Sequence, residues 1–578
     1  MAVRDLNWNT LPVVVGEPAV EEADGAFRVS FDARNTEGDV DFSWSATIEG
    51  TADGTVSYEM DGTAHSAFAF AKLGLCLHHP VRESAGRLFR GVAPGTPVGG
   101  ELPRLIGPQI RLPDEGWDLP LFDPVQWLEI DLPQGERIRF DFEGDLFEME
   151  DQRNWTDGSF KTACTPAFLR YNHTIQPGGR IRQKLTFRVA GATRVPRRAE
   201  PLVLRVGGPI GSVVPPVGLG SASHREPPTD RHTALLRALG PAHLRVDVRP
   251  SDTGAFEYGL GEARALGAAL ELALFINGDD SFVSDVIEVL LRSDVRTDRV
   301  LVFDDDAEVT PLDQVEIVRS RLTGIPVGGG TNIYFNELNR HRPDPERLDV
   351  VAYSINPQIH AFDELSLVES LAAQYETVRS ARAFSEQTPI AVTPITLRPR
   401  FNAVATVEES STASGLPRQV DPRQMSLFGA AWTLGSVKNL AEAGAASLTY
   451  FETTGWRGVV EHQAGSATDA FPSLPGEPFP IYHVLADVCA WRGAAILDCQ
   501  ASDQLAVVGF AVRAAGRLKL LVANLEAAPK SVRIEGVAGP ARLQRLSDET
   551  APGRSTHMQV DEVSALELAP FEIIRIDA

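Results

Sequence analysis

The chain opens on alternating apolar and polar positions. Phe27–Phe31, Val56–Met60 and Ile138–Phe142 carry apolar side chains at every second residue. That is the pattern of strands with one face on a core and one in water. Gly and Pro punctuate between them, as in Pro94-Gly95-Thr96-Pro97. Few helical runs interrupt, so residues 1–203 are predicted to form an antiparallel β-sandwich.

The rhythm changes after Pro201. Short apolar runs then alternate with helical stretches. The predicted strands are Val217–Gly220, His243–Val248, Leu272–Ile276, Val300–Phe303, Thr331–Phe335, Val350–Ser354, Ile390–Ile395 and Leu448–Phe451. Between them lie amphipathic helices. One carries Phe282, Val283, Val286, Ile287 and Leu290 after an Asp280 cap; another has Leu367, Val368, Leu371, Tyr375 and Val378 on one face. Eight such units over residues 204–495 predict a (β/α)8 TIM barrel. A doubly wound sheet is the rival, but no Gly-rich phosphate turn follows the first strand. Alternation returns in Leu505–Phe510, Leu518–Ala523 and Ile573–Ile576, so a small C-terminal β-sandwich is predicted over residues 496–578. The longest polar stretch, 403–422, reads as a lid or a mobile loop.

Composition narrows the function classes. Of 578 residues 43% are hydrophobic and 23% charged, as expected of a chain with several packed cores. The net charge of −24 repels phosphate backbones, and without a basic patch it argues against nucleic-acid partners. No apolar run is long enough for an ordinary membrane span. The first residues lack the apolar core of a signal peptide. Four scattered cysteines make no disulfide scaffold and no CxxC pair, so a cytoplasmic protein with reduced thiols is expected.

Chemistry in TIM barrels gathers at the C-terminal strand ends. In order these ends offer Ser223-His224-Arg225, then Arg245 and Asp247, Asn277, Asp304-Asp305-Asp306, Asn336-Glu337, Asn356-Pro357-Gln358-Ile359-His360, Thr396 with Arg398, and finally Glu452, Trp456 and Arg457. Glu337 and Glu452 stand out as candidate catalytic carboxylates. Asn336-Glu337 and the later Glu452 resemble the retaining glycosidase clan built on barrels, where an Asn-Glu pair supplies the acid/base and a second Glu the nucleophile. The clan uses strands 4 and 7, whereas these follow predicted strands 5 and 8; the three-strand separation is kept. The plainer alternative is a salt-bridged rim residue.

The other candidates are substrate-binding: Asn336, Asp304, Asn356, Gln358 and Trp456 by position, and His360 as a general base, an oxyanion donor or a loop cap. Arg398 can grip a carbonyl or carboxylate oxygen, or simply pair with an acid. Arg245 and Asp247 share one strand face and can form an internal pair. Trp155 lies in a loop dense in hydrogen-bonding groups, suited to a sugar face or to an interdomain anchor. No metal or other cofactor is expected. His78 and His79 are adjacent and point apart in a strand, the triple Asp lacks calcium-loop spacing, and neither a G-x-S-x-G elbow nor a phosphate loop occurs.

Five segments together resemble the D-apionate lactonase family: Glu150–Asp157 (EDQRNWTD), Phe335–Arg340 (FNELNR), Ser354–Phe362 (SINPQIHAF), Thr396–Asn402 (TLRPRFN) and Tyr450–Gly458 (YFETTGWRG). The resemblance runs the whole length and implies an N-terminal domain, a TIM barrel and a C-terminal domain. It also implies hydrolysis of D-apionolactone to D-apionate, in the breakdown of apiose. It carries no catalytic assignment, so the roles above rest on barrel geometry. Two enzymatic readings follow: a lactonase in which Glu337 or Glu452 activates water while His360 or Arg398 steadies the oxyanion, and a glycosidase with Glu337 as acid/base and Glu452 as nucleophile. A carbohydrate-binding protein on a dead barrel is the third, and the presence of both carboxylates counts against it. The expected partner is a small sugar lactone or glycoside, with a homo-oligomer possible.

Overall fold

The alternating segments of the N-terminal region pair in antiparallel register. Ala26–Glu37 runs beside Val40–Gly50, which runs beside Thr55–Ala64, and Arg180–Ala190 and Arg137–Glu143 continue the same sheet. The inward positions of these strands, among them Phe42, Met60 and Phe140, are buried. A smaller sheet sets Ser159–Ala163 between Glu148–Asp151 and Cys76–Pro80. This computed structural model describes every residue except 7, 112–118, 134, 167–172, 192–200, 402–414 and 551–552. Most of the predicted polar loop 403–422 therefore lies outside the described residues. Two compact units result, one on Met1–Arg197 and the other on Arg198–Phe401 with Ser410–Ala578.

The second unit holds eight parallel strands: β1 (Val217–Gly220), β2 (His243–Val248), β3 (Ala269–Phe275), β4 (Thr297–Phe303), β5 (Val327–Tyr334), β6 (Val351–Ile355), β7 (Ile390–Ile395) and β8 (Ser447–Thr454). β1 pairs with both β2 and β8, so the sheet closes into a barrel. A helix follows each strand: α1 (Asp230–Leu239), α2 (Gly254–Leu266), α3 (Asp280–Arg292), α4 (Leu312–Arg321), α5 (Phe335–His341), α6 (Glu364–Ser385), α7 (Leu427–Glu442) and α8 (Pro480–Ala490). No described helix is long and apolar enough to cross a membrane. The cap of α3 is Asp279 rather than the expected Asp280, because its carboxylate accepts the backbone N–H groups of Ser281 and Phe282. Phe335, expected to end strand 5, instead begins α5. At Gly330, with φ +137°, a Cβ would meet the Ala352 carbonyl at 2.2 Å, so β5 can approach β6 only with glycine there.

Leu202–Val213 joins the C-terminal sheet, antiparallel to Ala495–Ala501 and parallel to Lys530–Glu535. The strand that leads into the barrel thus ties it to the C-terminal β domain. α7 is apolar nearly all round because it has two neighbours. Trp432 donates its indole N–H to Leu367 of α6, and the Phe428 ring meets the edge of Phe571 in the C-terminal domain.

Apolar side chains such as Phe275, Leu301, Phe303 and Ala352 pack in the barrel interior, yet a chain of polar groups runs among them. Glu271 is fully buried on β3, pairs with Arg299 at 2.7 Å, accepts the hydroxyl of Thr393 and lies 3.8 Å from His243. Burial would raise the Glu271 pKa, but Arg299, His243 and Arg245 outweigh it and hold the carboxyl near 2. Burial depresses His243 to about 4, keeping it neutral. Removing one partner of such a group strands a buried charge. Glu271→Ala should therefore cost about 3–5 kcal/mol of stability. Chemical denaturation checks this, and a loss within about 1 kcal/mol would show that water compensates Arg299.

Candidate active site

A cleft of about 320 Å³ opens at the C-terminal ends of β1, β2, β7 and β8. Its floor is Arg245, whose guanidinium makes four hydrogen bonds: Nε donates to Asp247 at 2.7 Å, Nη1 to the carbonyl and hydroxyl of Thr393, and Nη2 to Asn332 Oδ1 at 2.9 Å. Asp247 also faces Arg400 at 3.2 Å. Burial would raise the Asp247 pKa, but Arg245 and Arg400 carry it below the usual range. Arg400 is pushed down to about 10 by burial and by the charge of Arg245.

Glu452, on β8, forms one wall. Its Oε2 accepts the Ser223 backbone N–H at 3.0 Å, and its Oε1 meets Arg457 at 2.7 Å. Trp456 lines the same wall and packs on Phe471. On the opposite side Arg398 reaches Asp421 through Nε at 3.2 Å, and among the described residues its terminal amino groups have no hydrogen-bond partner. Asp421 is buried, which would raise its pKa, but bonds from Arg423 and Gln358 bring it down to about 2.

The sequence-predicted residues therefore divide. Glu452, Arg245, Arg398 and Trp456 line the cleft. Gln358 braces it from behind by donating to Asp421 and to the Leu397 carbonyl, and Asn356 shapes that loop by accepting the Gln358 N–H. Glu337 is not among the lining residues. It is the third residue of α5, buried, and its carboxylate turns back to the Tyr334 N–H at 3.1 Å and the Asn336 side-chain amide at 3.3 Å. Burial raises its pKa. This is a capping-box arrangement, the helix-terminal alternative to a catalytic role. Asn336 is fully buried, Asp304 accepts from Asp306 N–H and Gln314, and His360 is half-buried in the β6–α6 loop. Trp155 belongs to the N-terminal unit, where its indole N–H donates to Gln109.

Among the described residues, His224, Glu226 and His462 bring ligand atoms within 4.8 Å of one another. Each ring accepts a backbone N–H at Nδ1, from Glu226 and Ala464 respectively. A neutral ring that accepts there carries its proton on Nε2. The Nε2 atoms accordingly donate to Thr454 and to the Glu226 carboxylate, and a cation would have to displace both protons or turn both rings.

Three family models divide the chain among them. One described as the D-apionate lactonase N-terminal domain matches residues 1–192, a second for its TIM barrel domain matches 217–493, and a third for its C-terminal immunoglobulin-like domain matches 504–576. The chain belongs to the D-apionate lactonase family. A relative named D-apionate lactonase, from Brucella anthropi, is 26% identical over 519 residues, 85% of this chain and 82% of its own. Among solved structures, a GH30 endoxylanase from Clostridium papyrosolvens C71 covers 66% of this chain and 100% of its own, at 11% identity and TM-score 0.44. A β-arabinopyranosidase covers 100% of this chain and 94% of its own, at 11% identity and TM-score 0.36.

Sequence reading missed several residues of this family member's cleft. Arg249 and Arg400 stand just beyond strand ends and were within reach of a slightly longer window. Asp421 lies near the end of the polar stretch 403–422, where nothing local marks it as a partner of Arg398. Glu262 also went unnoticed, although a carboxylate on the apolar face of α2 is a visible anomaly. It accepts the hydroxyls of Ser221 and Thr453 and the Ala222 N–H, fastening the ends of β1 and β8 that hold Glu452. Burial raises its pKa, and the Glu452 charge adds to that against the pull of its hydrogen bonds. A raised acid contributes stability that is full below its unfolded pKa and is lost as pH rises through its folded one. Glu262→Gln cannot ionise, so its stability relative to wild type should rise between pH 4 and pH 8. Urea midpoints at the two pH values test this, and equal differences would mean that Glu262 ionises normally.

Proposed function

We propose that this protein hydrolyses a sugar lactone to its aldonate, with D-apionolactone as the substrate that family membership favours. One observation carries the mechanistic reading: six arginines and four carboxylates line the cleft, in a chain whose net charge is −24. Water adding to a lactone carbonyl creates an oxyanion, and the product is a carboxylate. Both are stabilised by preorganised guanidinium groups. A glycosidase must instead stabilise an oxocarbenium-like transition state, which a cationic cleft disfavours.

In this reading Glu452, oriented by Arg457 and the Ser223 amide, takes a proton from the attacking water. The terminal amino groups of Arg398 receive the carbonyl oxygen as it becomes negative. The tetrahedral intermediate then collapses, the ring C–O bond breaks, and the proton held by Glu452 passes to the departing alkoxide. One water is consumed and no other group is needed. Trp456 offers a flat apolar face to the sugar ring. The four unpaired cysteines fit a reducing, cytoplasmic setting.

Purified protein should open an aldonolactone faster than the spontaneous reaction and leave aryl glycosides intact; glycoside cleavage without lactone opening would overturn the reading. Glu452→Gln should lower turnover about 100-fold or more, and Arg398→Ala by about 100- to 1000-fold. Glu337→Gln, whose amide still caps α5, should stay within about tenfold of wild type. Near-normal turnover in the Glu452 variant, or collapse in the Glu337 variant alone, would exchange their roles.

A further inference from the structure

The N-terminal unit holds a second set of reactive groups that the cleft does not use. Cys76 and His78 are two apart on the strand Cys76–Pro80 and so share one face. Ser159–Ala163 runs antiparallel beside it, pairing Ser159 with Pro80 and Lys161 with His78. Across this pair the Cys76 Sγ lies 3.4 Å from His78 Nε2, and His78 Nδ1 lies 3.0 Å from the Ser159 hydroxyl. The Lys161 ammonium, paired with Glu150 at 3.1 Å, adds positive charge nearby. Cys76 and Cys489 are partly exposed and His78 exposed, whereas Cys164 and Cys499 are buried.

We propose that Cys76, His78 and Ser159 form a nucleophilic thiol site that reacts with soft electrophiles, hydroperoxides above all. A nucleophile in contact with a base, the base oriented by a third group, is the arrangement that activates side chains for attack. Reactive thiols occupy partly exposed, electropositive places of this kind. Burial pushes the thiols of Cys164, Cys489 and Cys499 up to about 12. Burial acts on Cys76 in the same sense, but the hydrogen bond and charge of His78 outweigh it and bring the thiol down to about 7. With hydrogen peroxide the thiolate sulfur attacks one oxygen. An S–O bond forms and the O–O bond breaks. The sulfur is oxidised by two electrons to a sulfenic acid, and the departing hydroxide takes the imidazolium proton of His78 and leaves as water.

The test uses the full chain. Alkylation of each cysteine by iodoacetamide is followed by peptide mass spectrometry between pH 5 and pH 9. A thiolate of lower pKa is intrinsically less nucleophilic, so the pH of half-maximal rate is the readout rather than the rate itself. Cys76 should reach half-maximal rate near pH 7. In His78→Asn this should move above about 8.5, the ordinary thiol value, because burial then loses its main counterweight, and in Ser159→Ala part of the way. Thermal unfolding of both variants shows whether they keep the fold, and the wild-type profile stands as a test without them. Peroxide treatment followed by dimedone should tag Cys76 and spare the other three. A wild-type profile centred at about 8.5, or the absence of a dimedone adduct on Cys76, would overturn the proposal.

Discussion

The hydrogen-bonded guanidinium of Arg245 is the interaction on which the second unit most depends. It sits inside the barrel and links β2, β5 and β7 through Asp247, Asn332 and Thr393. Thr393 passes the network down to the buried Glu271, and Asn332 passes it up to Arg400 at the cleft. A polar column therefore runs through an otherwise apolar interior. Asn332, Arg245, Thr393 and Glu271 bond one to the next, although His243 Nδ1 has no partner among the described residues, and such bonding lets buried polar groups rigidify a fold instead of weakening it. The cleft rests on this column, so its floor is part of the barrel's internal structure.

The same column explains how an acidic protein carries a cationic cleft. Charged groups on the outer surface face water and interact weakly across it. Those at the strand ends are packed together, so each arginine is held by a carboxylate that is itself held by others. Asp421 shows the logic: Arg423, Arg398 and Gln358 converge on one buried carboxylate, and Arg398 meets it through Nε alone. Glu452 is fixed in the same manner by an arginine and a backbone amide, while Glu262 fastens the two strand ends beneath it.

Strand ends were a good guide to the cleft because a parallel barrel places every C-terminal end on one rim. Arg245, Arg398, Glu452 and Trp456 were found on that ground alone. The same reading set Glu337 beside Glu452, and Glu337 does not line this cleft. Glu337 occupies the third position of a short helix that begins at Phe335, the residue predicted to end the strand. That shift turns a strand-end carboxylate into a helix-terminal one, with backbone and amide donors already in place.

What the sequence determined by itself was local and periodic: β, then alternating β and α, then β, with polar residues at the strand ends and segments that mark the family. Alternation and helical spacing record which face of each element meets a core, and that information is carried by near neighbours in the chain. Tertiary structure alone decided which polar residues meet. Asp421 with Arg398, Glu262 with Thr453, and Leu202–Val213 with the C-terminal sheet join residues that have no periodic relation. Charge at the mouth was likewise settled by packing. A composition reports only the sum of charges, whereas the field at a cleft depends on which few of them closure of the barrel brings within a few ångströms.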